Sequence, residues 1–253
     1  EAAVIMAIWD WRGQKENKAV HDILGFNVSK LPATSYTISI GDMSELDEKI
    51  ELSNPYSIIK VKLGTPNDDK EIISQIRQRT DKLIRVDANE GWSLDNAKEM
   101  SYWLADRNVE FIEQPFKAKM LNETRSLKEF SPLPLFADEN SLVSSDIPKI
   151  VDCFDGINIK LMKCGGLDEA FKMIEIAKHF DMQIMLGCMV ESSVGITAAA
   201  QLASEAVAVD LDGNLLIDND PYKGVEVIEG RLHLSPNNYG MGLSLSKQEE
   251  GLL

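Results

Sequence analysis

Short apolar segments that each end in a charged side chain recur along this chain at a nearly constant spacing. The segments are SIIKVK, LIRVD, FIE, PLFAD and INIK, and their last residues are Lys62, Asp87, Glu113, Asp138 and Lys160. Successive end residues lie 25, 26, 25 and 22 positions apart, which is about the length of one strand, one helix and two loops. A buried parallel strand tolerates a charge at its carboxyl end, where an α/β barrel carries its reactive side chains. The sequence therefore predicts such a barrel.

The same pattern extends to eight strands. We predict them at residues 34–40, 57–62, 83–87, 110–113, 135–138, 156–161, 183–186 and 207–211. Helical patterns separate the strands: an apolar stripe runs from Leu167 to Ala177, and Ser93 is typical of a helix N-cap. After the last strand, VEVIEGRLHL indicates a hairpin with Glu229 and Gly230 in its turn. The predicted fold class is α/β, as a (β/α)7β barrel.

The barrel accounts for residues 33–213, and the two ends of the chain are assigned separately. Residues 1–14 have the pattern of an amphipathic helix, with an apolar stripe formed by Val4, Ala7, Ile8 and Trp11. We expect residues 1–32 to contain the C-terminal helix of a capping domain whose N-terminal part is absent from this chain. The tail, residues 214–253, is expected to return to that domain.

Composition limits the partners and the compartment. The formal charge is -15, which argues against nucleic acid or an anionic membrane as a partner. Every apolar run is shorter than the roughly 20 residues that span a bilayer. The three cysteines form no CxxC pair and fit a reducing cytoplasm better than a disulfide framework. We therefore expect a cytoplasmic protein with a small-molecule substrate, and a homo-oligomer is compatible with the sequence.

Asp87, Glu113 and Asp138 end consecutive predicted strands. In a barrel they would project into one mouth, where three anions repel each other unless a cation lies between them. A single acid at such a position is more often a helix N-cap or a surface salt bridge, but independent caps have no reason to share a register. Oxygen ligands favour Mg2+, with Mn2+ as a substitute. The sequence predicts a magnesium site, and the histidines lack the spacing of zinc ligands.

Lysines flank the predicted metal site. Strand alternation places Lys60 and Lys62 on the same face, and Lys160 comes from the sixth strand, across the mouth. Neighbouring positive charge would lower the pKa of one lysine enough for it to act as a base near neutral pH. Two bases that face each other across a bound carbon imply racemisation or epimerisation. Lys163 lies in a loop, an odd number of residues beyond Lys160, and is interpreted as a solvated charge.

Six motifs of this chain resemble those of a known family. KVKLG, RVDANEGW, FIEQP, ADEN, NIKLMKCGG and ESSVG are similar to motifs of the enolase superfamily, in its muconate-lactonizing subgroup, and the resemblance extends from Ala2 to about Gly242. It implies a modified TIM barrel, (β/α)7β, with the remnant of an α+β capping domain. It also implies that the three acids bind Mg2+, that Lys62 and Lys160 are the acid/base pair and that Lys60 assists them.

The resemblance further implies a reaction. The substrate carboxylate would bind the metal ion, and loss of the α-proton would give an enediolate whose charge is stabilised by Mg2+ and the lysine ammonium groups. Asn89 and Glu139 follow metal ligands within two residues, and we expect them to orient those ligands.

The substrate prediction depends on AVDLDG in the eighth strand. Alternation places Asp210 and Asp212 on one face, and an acidic pair away from the metal ligands suits a substrate with an ammonium group. A similar DxD occurs in the dipeptide epimerases of the subgroup, where it holds the free amino terminus. We therefore expect an isomerase, an epimerase that acts at the α-carbon of the C-terminal residue of a dipeptide, with L-Ala-D/L-Glu as the leading substrate. Glu191, near the end of the seventh strand, is a further candidate for substrate contact.

Several alternatives stay open. The same acids and lysines would serve an o-succinylbenzoate synthase, an N-acylamino acid racemase or a cycloisomerase of the superfamily, and Asp212 before Gly213 is also a turn signal. From a different class, Lys160 could form a Schiff base in an aldolase. A metal-binding barrel without turnover is a third reading. The side-chain preference of the dipeptide is not predicted, because the loop expected to read it belongs to the absent part of the capping domain.

Overall fold

The computed structural model describes residues 1–29, 31–39, 43–234 and 239–246, and its main element is a parallel sheet of eight strands. Neighbouring strands follow chain order: β1 (Tyr36–Ile38), β2 (Ile58–Lys62), β3 (Leu83–Asp87), β4 (Val109–Glu113), β5 (Leu135–Ala137), β6 (Gly156–Lys160), β7 (Gln183–Gly187) and β8 (Ala208–Val209). The sheet closes on itself, since Thr34 pairs in parallel with Val209 and the Ser35 N–H donates to the Val209 carbonyl at 3.2 Å. The predicted barrel is confirmed.

Helices connect the strands and cover the outside of the sheet. They are α1 (Ala2–Glu16), α2 (Val20–Leu24), α3 (Leu46–Leu52), α4 (Asp69–Arg77), α5 (Leu94–Ala105), α6 (Leu121–Lys128), α7 (Leu161–Cys164), α8 (Leu167–His179) and α9 (Ser193–Ala200). The stripe predicted on α8 is buried, including Leu167, Ala170, Ile174 and Ala177. Ser93 caps α5 as predicted, because its Oγ accepts a hydrogen bond from the Asn96 N–H at 3.3 Å.

The strand limits differ from the prediction by at most two residues at either end. β3 agrees at both ends, whereas β6 stops at Lys160 because Leu161 already begins α7. β8 is reduced to two residues, so that Asp210 and Asp212 follow the strand and do not belong to it. Ile40, which the prediction included in the first strand, lies outside the described residues.

The N-terminal helix is present where the pattern predicts one, but its apolar stripe points to solvent. The exposed fractions are 62% for Val4, 52% for Ile8 and 62% for Trp11. The opposite side of α1 meets α8, where the Trp9 Nε1–H donates to Asp168 Oδ1 at 2.7 Å. The assignment of residues 1–32 and 214–253 to a capping domain stays a prediction.

The tail contains the predicted hairpin. Strands β10 (Glu226–Ile228) and β11 (Arg231–His233) pair antiparallel, and Glu229 and Gly230 have φ values of 50° and 73° between them. Two successive left-handed residues are typical of a type I′ turn, whose twist matches that of the strands. A second short pair joins β9 (Tyr222–Lys223) to β12 (Ser244–Leu245).

The inside of the barrel has a compact apolar cluster of its own, separate from the large core between sheet and helices. It consists of Phe111, Phe136, Met185 and Ala208. The two phenylalanine rings lie 4.3 Å apart, and the guanidinium carbon of the buried Arg85 lies 5.5 Å from the centre of the Phe111 ring. The apolar cluster fills the lumen below the strand ends that carry the charged residues, so the pocket can open only at the carboxyl end.

Within the described residues, helices long and apolar enough to cross a membrane do not occur.

Candidate active site

A cavity of about 300 Å³ opens at the carboxyl ends of the barrel strands. Residues at or just beyond the ends of seven of the eight strands line it, β3 through Asn89. They include Thr37, Lys60, Lys62, Asp138, Glu139, Lys160, Lys163, Cys188, Asp210 and Asp212. The structure thus brings lysines and acids that are far apart in sequence into one opening.

Asp87, Glu113 and Asp138 converge beside this cavity. One carboxylate oxygen of each lies within 4.8 Å of the others, and all three residues are buried. The strand register explains the convergence, since Asp87 pairs with Glu113 across β3 and β4, and Glu113 pairs with Phe136 of β5. Asp138 follows two residues later, beyond the end of β5, so its side chain returns to the same side.

Lys62 and Lys160 bind the two ends of this acidic triad. Lys62 Nζ lies 2.6 Å from Asp87 Oδ2, and Lys160 Nζ lies 2.7 Å from Asp138 Oδ2. Their strands, β2 and β6, are four positions apart in a ring of eight, which is the largest separation that the ring allows. The two amines therefore approach the triad from opposite sides.

Lys60 lies underneath the triad and is enclosed by acids. Its Nζ is 2.7 Å from Glu113 Oε2, 2.9 Å from Asp210 Oδ2 and 3.4 Å from Asp87 Oδ2. Its side chain is 1% exposed, against 31% for Lys62. Lys60 joins the triad to Asp210, whereas Lys62 is open to the cavity.

The surrounding charges separate the pKa values of the three acids. Burial alone would raise the pKa of Asp87, but Lys60 and Lys62 lower it to about 2. For Asp138, burial is likewise outweighed by Lys160 and other ammonium charge, and its pKa is lowered. Burial and the charge of Asp87 raise the pKa of Glu113, despite its contact with Lys60. Glu113 is thus the acid of the triad that gains most from a nearby cation.

The protein's own carboxylates raise the pKa values of two of the predicted lysines, and the lowering expected from positive charge at the metal site stays a prediction. Burial acts to lower the pKa of Lys60, but Asp210, Glu113 and Asp87 raise it well above its ordinary value. The pKa of Lys160 is also raised, because Asp138 outweighs burial. The prediction counted neighbouring positive charge and missed that each amine faces carboxylates. A divalent cation among the same acids would weaken their pull on the amines.

The donor set fits a magnesium ion. Three buried carboxylates converge within 4.8 Å, and a hard cation takes oxygen ligands of this kind. Such a cluster is costly without positive charge, which four lysines supply in this structure: Lys60, Lys62, Lys160 and Lys163. Asp87, Glu113 and Asp138 are therefore the residues that could hold the ion.

Asp210 and Asp212 both line the cavity, next to β1. Asp210 Oδ1 accepts a hydrogen bond from Ser35 Oγ at 2.6 Å, and Asp212 Oδ2 accepts one from the Thr37 N–H at 2.7 Å. Burial and the charge of Asp210 raise the pKa of Asp212 to about 6. Asp212 also directly precedes a short 3-10 helix that begins at Gly213. The alternative interpretation of Asp212 as a turn residue therefore describes its local backbone correctly.

The two residues predicted to orient metal ligands are differently placed. The Asn89 N–H donates to Asp87 Oδ1 at 3.0 Å, although the contact uses its backbone and not its side chain. Glu139 Oε1 accepts a hydrogen bond from Lys163 Nζ at 3.1 Å, and Lys163 in turn lies 2.6 Å from Asp138 Oδ1. Glu139 therefore reaches a metal ligand only through Lys163.

The interpretation of Lys163 as a solvated charge is wrong. Lys163 contacts Asp138 directly and lines the cavity. The parity argument assumed that the strand continues beyond Lys160, but the chain turns at once into α7, and a helix brings residue 163 back over the strand end. Glu191 is placed behind the loop after β7, where its Oε1 accepts the Met189 N–H at 2.9 Å. A substrate contact for Glu191 stays a prediction.

Sequence reasoning overlooked several polar residues of the site. Asn158 Nδ2 donates to Glu113 Oε1 at 2.7 Å, in space that exists because residue 187 is glycine: a Cβ there would lie 2.6 Å from Asn158 Oδ1. Asn158 precedes Lys160 by two positions, so strand alternation could have placed it on the inner face. The same two-residue period in Ser35 and Thr37 could have indicated partners for the two aspartates.

Comparison with known proteins establishes the family. A model of the enolase C-terminal domain-like family matches residues 44–249. The chain belongs to this family. It is 43% identical over 237 residues to the L-Ala-D/L-Glu epimerase of Bacteroides thetaiotaomicron, which corresponds to 93% of this chain and 62% of that protein. The chain thus spans less than two thirds of the length of this relative.

Solved structures agree in fold. The dipeptide epimerase of Cytophaga hutchinsonii, complexed with Mg and the dipeptide D-Ala-L-Val, has a TM-score of 0.89 at 29% identity and covers 96% of this chain and 69% of its own. The N-succinyl Arg/Lys racemase of Bacillus cereus ATCC 14579 also has a TM-score of 0.89 at 29% identity, and it covers 100% of this chain and 71% of its own. Both kinds of enzyme are compatible with the same barrel.

Proposed function

We propose that this protein is a Mg2+-dependent epimerase of dipeptides that transfers the α-proton of the C-terminal residue between the two faces of its α-carbon. The observation that carries the proposal is the placement of Lys62 and Lys160 on strands at opposite sides of the ring, each bound to one end of the acidic triad. The dipeptide in the Cytophaga hutchinsonii structure and the name of the Bacteroides relative support the substrate class. L-Ala-D/L-Glu is the leading substrate.

The acids would hold the ion and the lysines would move the proton. When bound by Asp87, Glu113 and Asp138, Mg2+ supplies a positive contact for the substrate carboxylate and favours the negative charge that develops there. Mn2+, which takes similar oxygen ligands, is proposed as a substitute. Lys62 would act on one face of the α-carbon and Lys160 on the other, one as base while the ammonium group of its partner returns a proton.

Lys60 would support this pair without touching the substrate. Its amine is enclosed by Glu113, Asp210 and Asp87, and its side chain is buried. From that position it holds two of the three acids and adds positive charge beneath the developing anion. We therefore assign proton transfer to Lys62 and Lys160 alone.

The acidic pair next to β1 would bind the free amino group of the dipeptide. Asp210 already forms an ion pair with Lys60, while Asp212 is buried and accepts hydrogen bonds from Thr37. The raised pKa of Asp212 shows that its charge is poorly compensated. A substrate ammonium group would supply the missing positive charge.

An N-acylamino acid racemase is the second candidate, because the Bacillus cereus racemase matches the whole chain as closely as the dipeptide epimerase does. Both reactions exchange a proton α to a carboxylate. They differ at the amino group, which is charged in a dipeptide and acylated in the other substrates. The role of Asp212 therefore separates the two functions.

Two further proposals concern the whole chain. We propose that residues 1–32 and 214–253 contact a capping domain, which the exposed stripe of α1 supports. We also propose a reducing, cytoplasmic environment, since Cys153, Cys164 and Cys188 are all free thiols.

Proton exchange tests the function. The protein is incubated in deuterated water with Mg2+ and either L-Ala-L-Glu or N-acetyl-L-glutamate, and the α-proton of the glutamate residue is followed by NMR. We expect exchange of the dipeptide that stops when EDTA removes the metal, and loss of that exchange in Asp212→Asn. Exchange that continues in EDTA, or none with any dipeptide, would contradict the proposal. Preferential exchange of the N-acetyl compound, unaffected by Asp212→Asn, would favour the racemase.

A further inference from the structure

We propose that Gln114 is a positioning residue that joins the carboxyl ends of β3, β4 and β5 and thereby sets the spacing of the three metal-binding carboxylates. The inference rests on the metal site of the proposed function. Gln114 directly follows Glu113 and is fully enclosed, with 1% of its surface exposed. It is not among the residues that line the cavity, and we assign it no contact with substrate or ion.

The backbone of Gln114 bonds to both neighbouring strand ends. Its N–H donates to the Phe136 carbonyl at 2.9 Å, two residues before Asp138. Its carbonyl accepts the Glu90 N–H at 2.9 Å, three residues after Asp87. One residue therefore contacts the segments that carry all three acids.

The side chain adds a second connection to the segment of Asp138. Gln114 Oε1 accepts the N–H of Asp138 at 2.9 Å and the N–H of Asn140 at 3.3 Å. Gln114 Nε2 donates to the Phe116 carbonyl and to Asn140 Oδ1, both at 2.7 Å. Every donor and acceptor site of the carboxamide is used, which fixes its orientation. Neither glutamate nor methionine could make the same four bonds.

The backbone conformation of Gln114 indicates that this arrangement has a function. Its φ is 38°, in the left-handed region that glutamine rarely adopts. Such a conformation is energetically unfavourable and persists only where surrounding contacts enforce it. Asn89 and Glu90, which follow Asp87, also have positive φ values, 47° and 62°. The chain thus reverses sharply just after two of the three metal ligands, and the Gln114 bonds hold both reversals together.

Loss of these bonds should act on metal affinity. The Asp138 N–H would lose its acceptor, and the segment that carries the carboxylate could shift relative to Glu113. Outer partners of metal ligands typically contribute about 10- to 100-fold to affinity. A residue that merely stabilised the fold would lower the unfolding temperature and leave the affinity unchanged.

A matched pair of variants separates these roles. Gln201 is also 1% exposed and is bonded through both its oxygen and its nitrogen: its Oε1 accepts the His21 N–H at 3.0 Å and lies 2.7 Å from His21 Nδ1, and its Nε2 donates to the Met241 carbonyl at 3.2 Å. It lies outside the barrel, at the end of α9. Gln114→Met therefore removes four buried side-chain contacts at the site, and Gln201→Met removes three away from it.

The dissociation constant of Mn2+ is measured for each protein by the electron paramagnetic resonance signal of the free ion, and the unfolding temperature by circular dichroism. We expect Gln114→Met to weaken Mn2+ binding at least tenfold and Gln201→Met to leave it within twofold, although both lower the unfolding temperature. Equal Mn2+ affinity in Gln114→Met and the unchanged protein would overturn the inference. Failure of the unchanged protein to bind Mn2+ would instead overturn the metal site itself, and the inference with it.

A second variant covers the case in which Gln114→Met does not fold. Asn140→Ala removes two side-chain hydrogen bonds. One runs from Gln114 Nε2 to Asn140 Oδ1 and orients the Gln114 amide, and the other runs from Asn140 Nδ2 to the Ala118 carbonyl. We expect it to fold and to weaken Mn2+ binding about threefold or more. Unchanged affinity in a folded Asn140→Ala protein, when Gln114→Met cannot be measured, would also contradict the inference.

Discussion

The two ends of the barrel lumen are filled by different kinds of side chain, mostly charged at the carboxyl end and mostly apolar at the amino end. At the carboxyl end, Lys60 is surrounded by carboxylates that belong to the candidate site. At the amino end, Phe111 and Phe136 stack, and Arg85, which pairs with Lys60 in the strand register, donates to Glu110 and to the Val209 carbonyl. Both ends bury a cation, but only the carboxyl end groups several acids around it.

The difference shows how the fold separates stability from reactivity. Apolar contacts among Phe111, Phe136 and their neighbours at the amino end are insensitive to metal and to pH. The stability of the carboxyl end depends instead on the balance between its buried lysines and carboxylates.

The largest effect is expected for Lys60→Met. The substitution keeps an unbranched side chain, one atom shorter, and removes the buried charge that faces Glu113, Asp87 and Asp210. Uncompensated buried acids should lower the free energy of unfolding by about 5 kcal/mol in the absence of divalent cation. Mg2+ should restore part of the loss, because it binds only the folded site. Urea unfolding with and without Mg2+ measures both, and equal losses in the two conditions would show that the carboxyl end does not bind the ion.

Phe136→Ala should be nearly as destabilising but independent of metal. Phe136 is buried against Phe111, with ring centres 4.3 Å apart, and truncation of such a residue costs about 3–5 kcal/mol. The same urea experiment should give one value with Mg2+ and without it. A loss that depends on Mg2+ would mean that the apolar amino end and the charged carboxyl end of the lumen are energetically coupled.

Gly156→Ala probes the same layer from β6. A Cβ at residue 156 would lie 2.4 Å from a ring carbon of Phe136, so we expect a loss of about 1–3 kcal/mol from overpacking. In the Phe136→Ala background the clash disappears, and the second substitution should cost little. Equal costs in both backgrounds, in a double-mutant cycle of unfolding free energies, would place the strain elsewhere.

The smallest effect concerns pH and Asp212. Burial and Asp210 raise the pKa of Asp212 to about 6 in the folded protein, above its value of 3.8 in the unfolded chain. The folded state therefore binds the proton more tightly, and the contribution of Asp212 to stability falls as pH rises through this window. For this group alone, stability should be lower at pH 7 than at pH 5 by about 1 kcal/mol.

Asp212→Asn should remove that part of the pH dependence. The control is Asp181→Asn, an exposed position with φ of 55°, where asparagine keeps the backbone conformation. If Asp212→Asn and Asp181→Asn change the difference between pH 5 and pH 7 equally, Asp212 is not the group responsible.

The strands and most of the candidate site could be predicted because four strands, β2, β3, β4 and β6, end in a charged residue that only a barrel mouth accommodates. β2, β3 and β4 carry Lys62, Asp87 and Glu113 at their last residue, so sequence position translated directly into place. The prediction was weaker where the chain leaves the strand. The contact of Lys163 with Asp138 depends on the immediate turn of the chain into α7. The odd spacing between Lys160 and Lys163 therefore does not predict where Lys163 lies.

Two other features depend on information that no local pattern contains. The stripe of Val4, Ile8 and Trp11 correctly predicted a helix, but periodicity alone does not say which partner an apolar face meets. The bonds of Gln114 join residues 24 and 26 positions apart and require a left-handed backbone just after a strand. Such contacts follow from the closed sheet and not from its segments.

The most direct test of the account is the stereochemistry of exchange in Lys62→Ala and Lys160→Ala. Each variant is incubated in deuterated water with Mg2+ and, separately, with L-Ala-L-Glu and L-Ala-D-Glu, and NMR records which α-proton is exchanged. The opposed placement of the two amines predicts reciprocal results: each variant exchanges one of the two epimers and not the other. A variant that still exchanges both epimers, or a pair of variants that lose the same one, would contradict it.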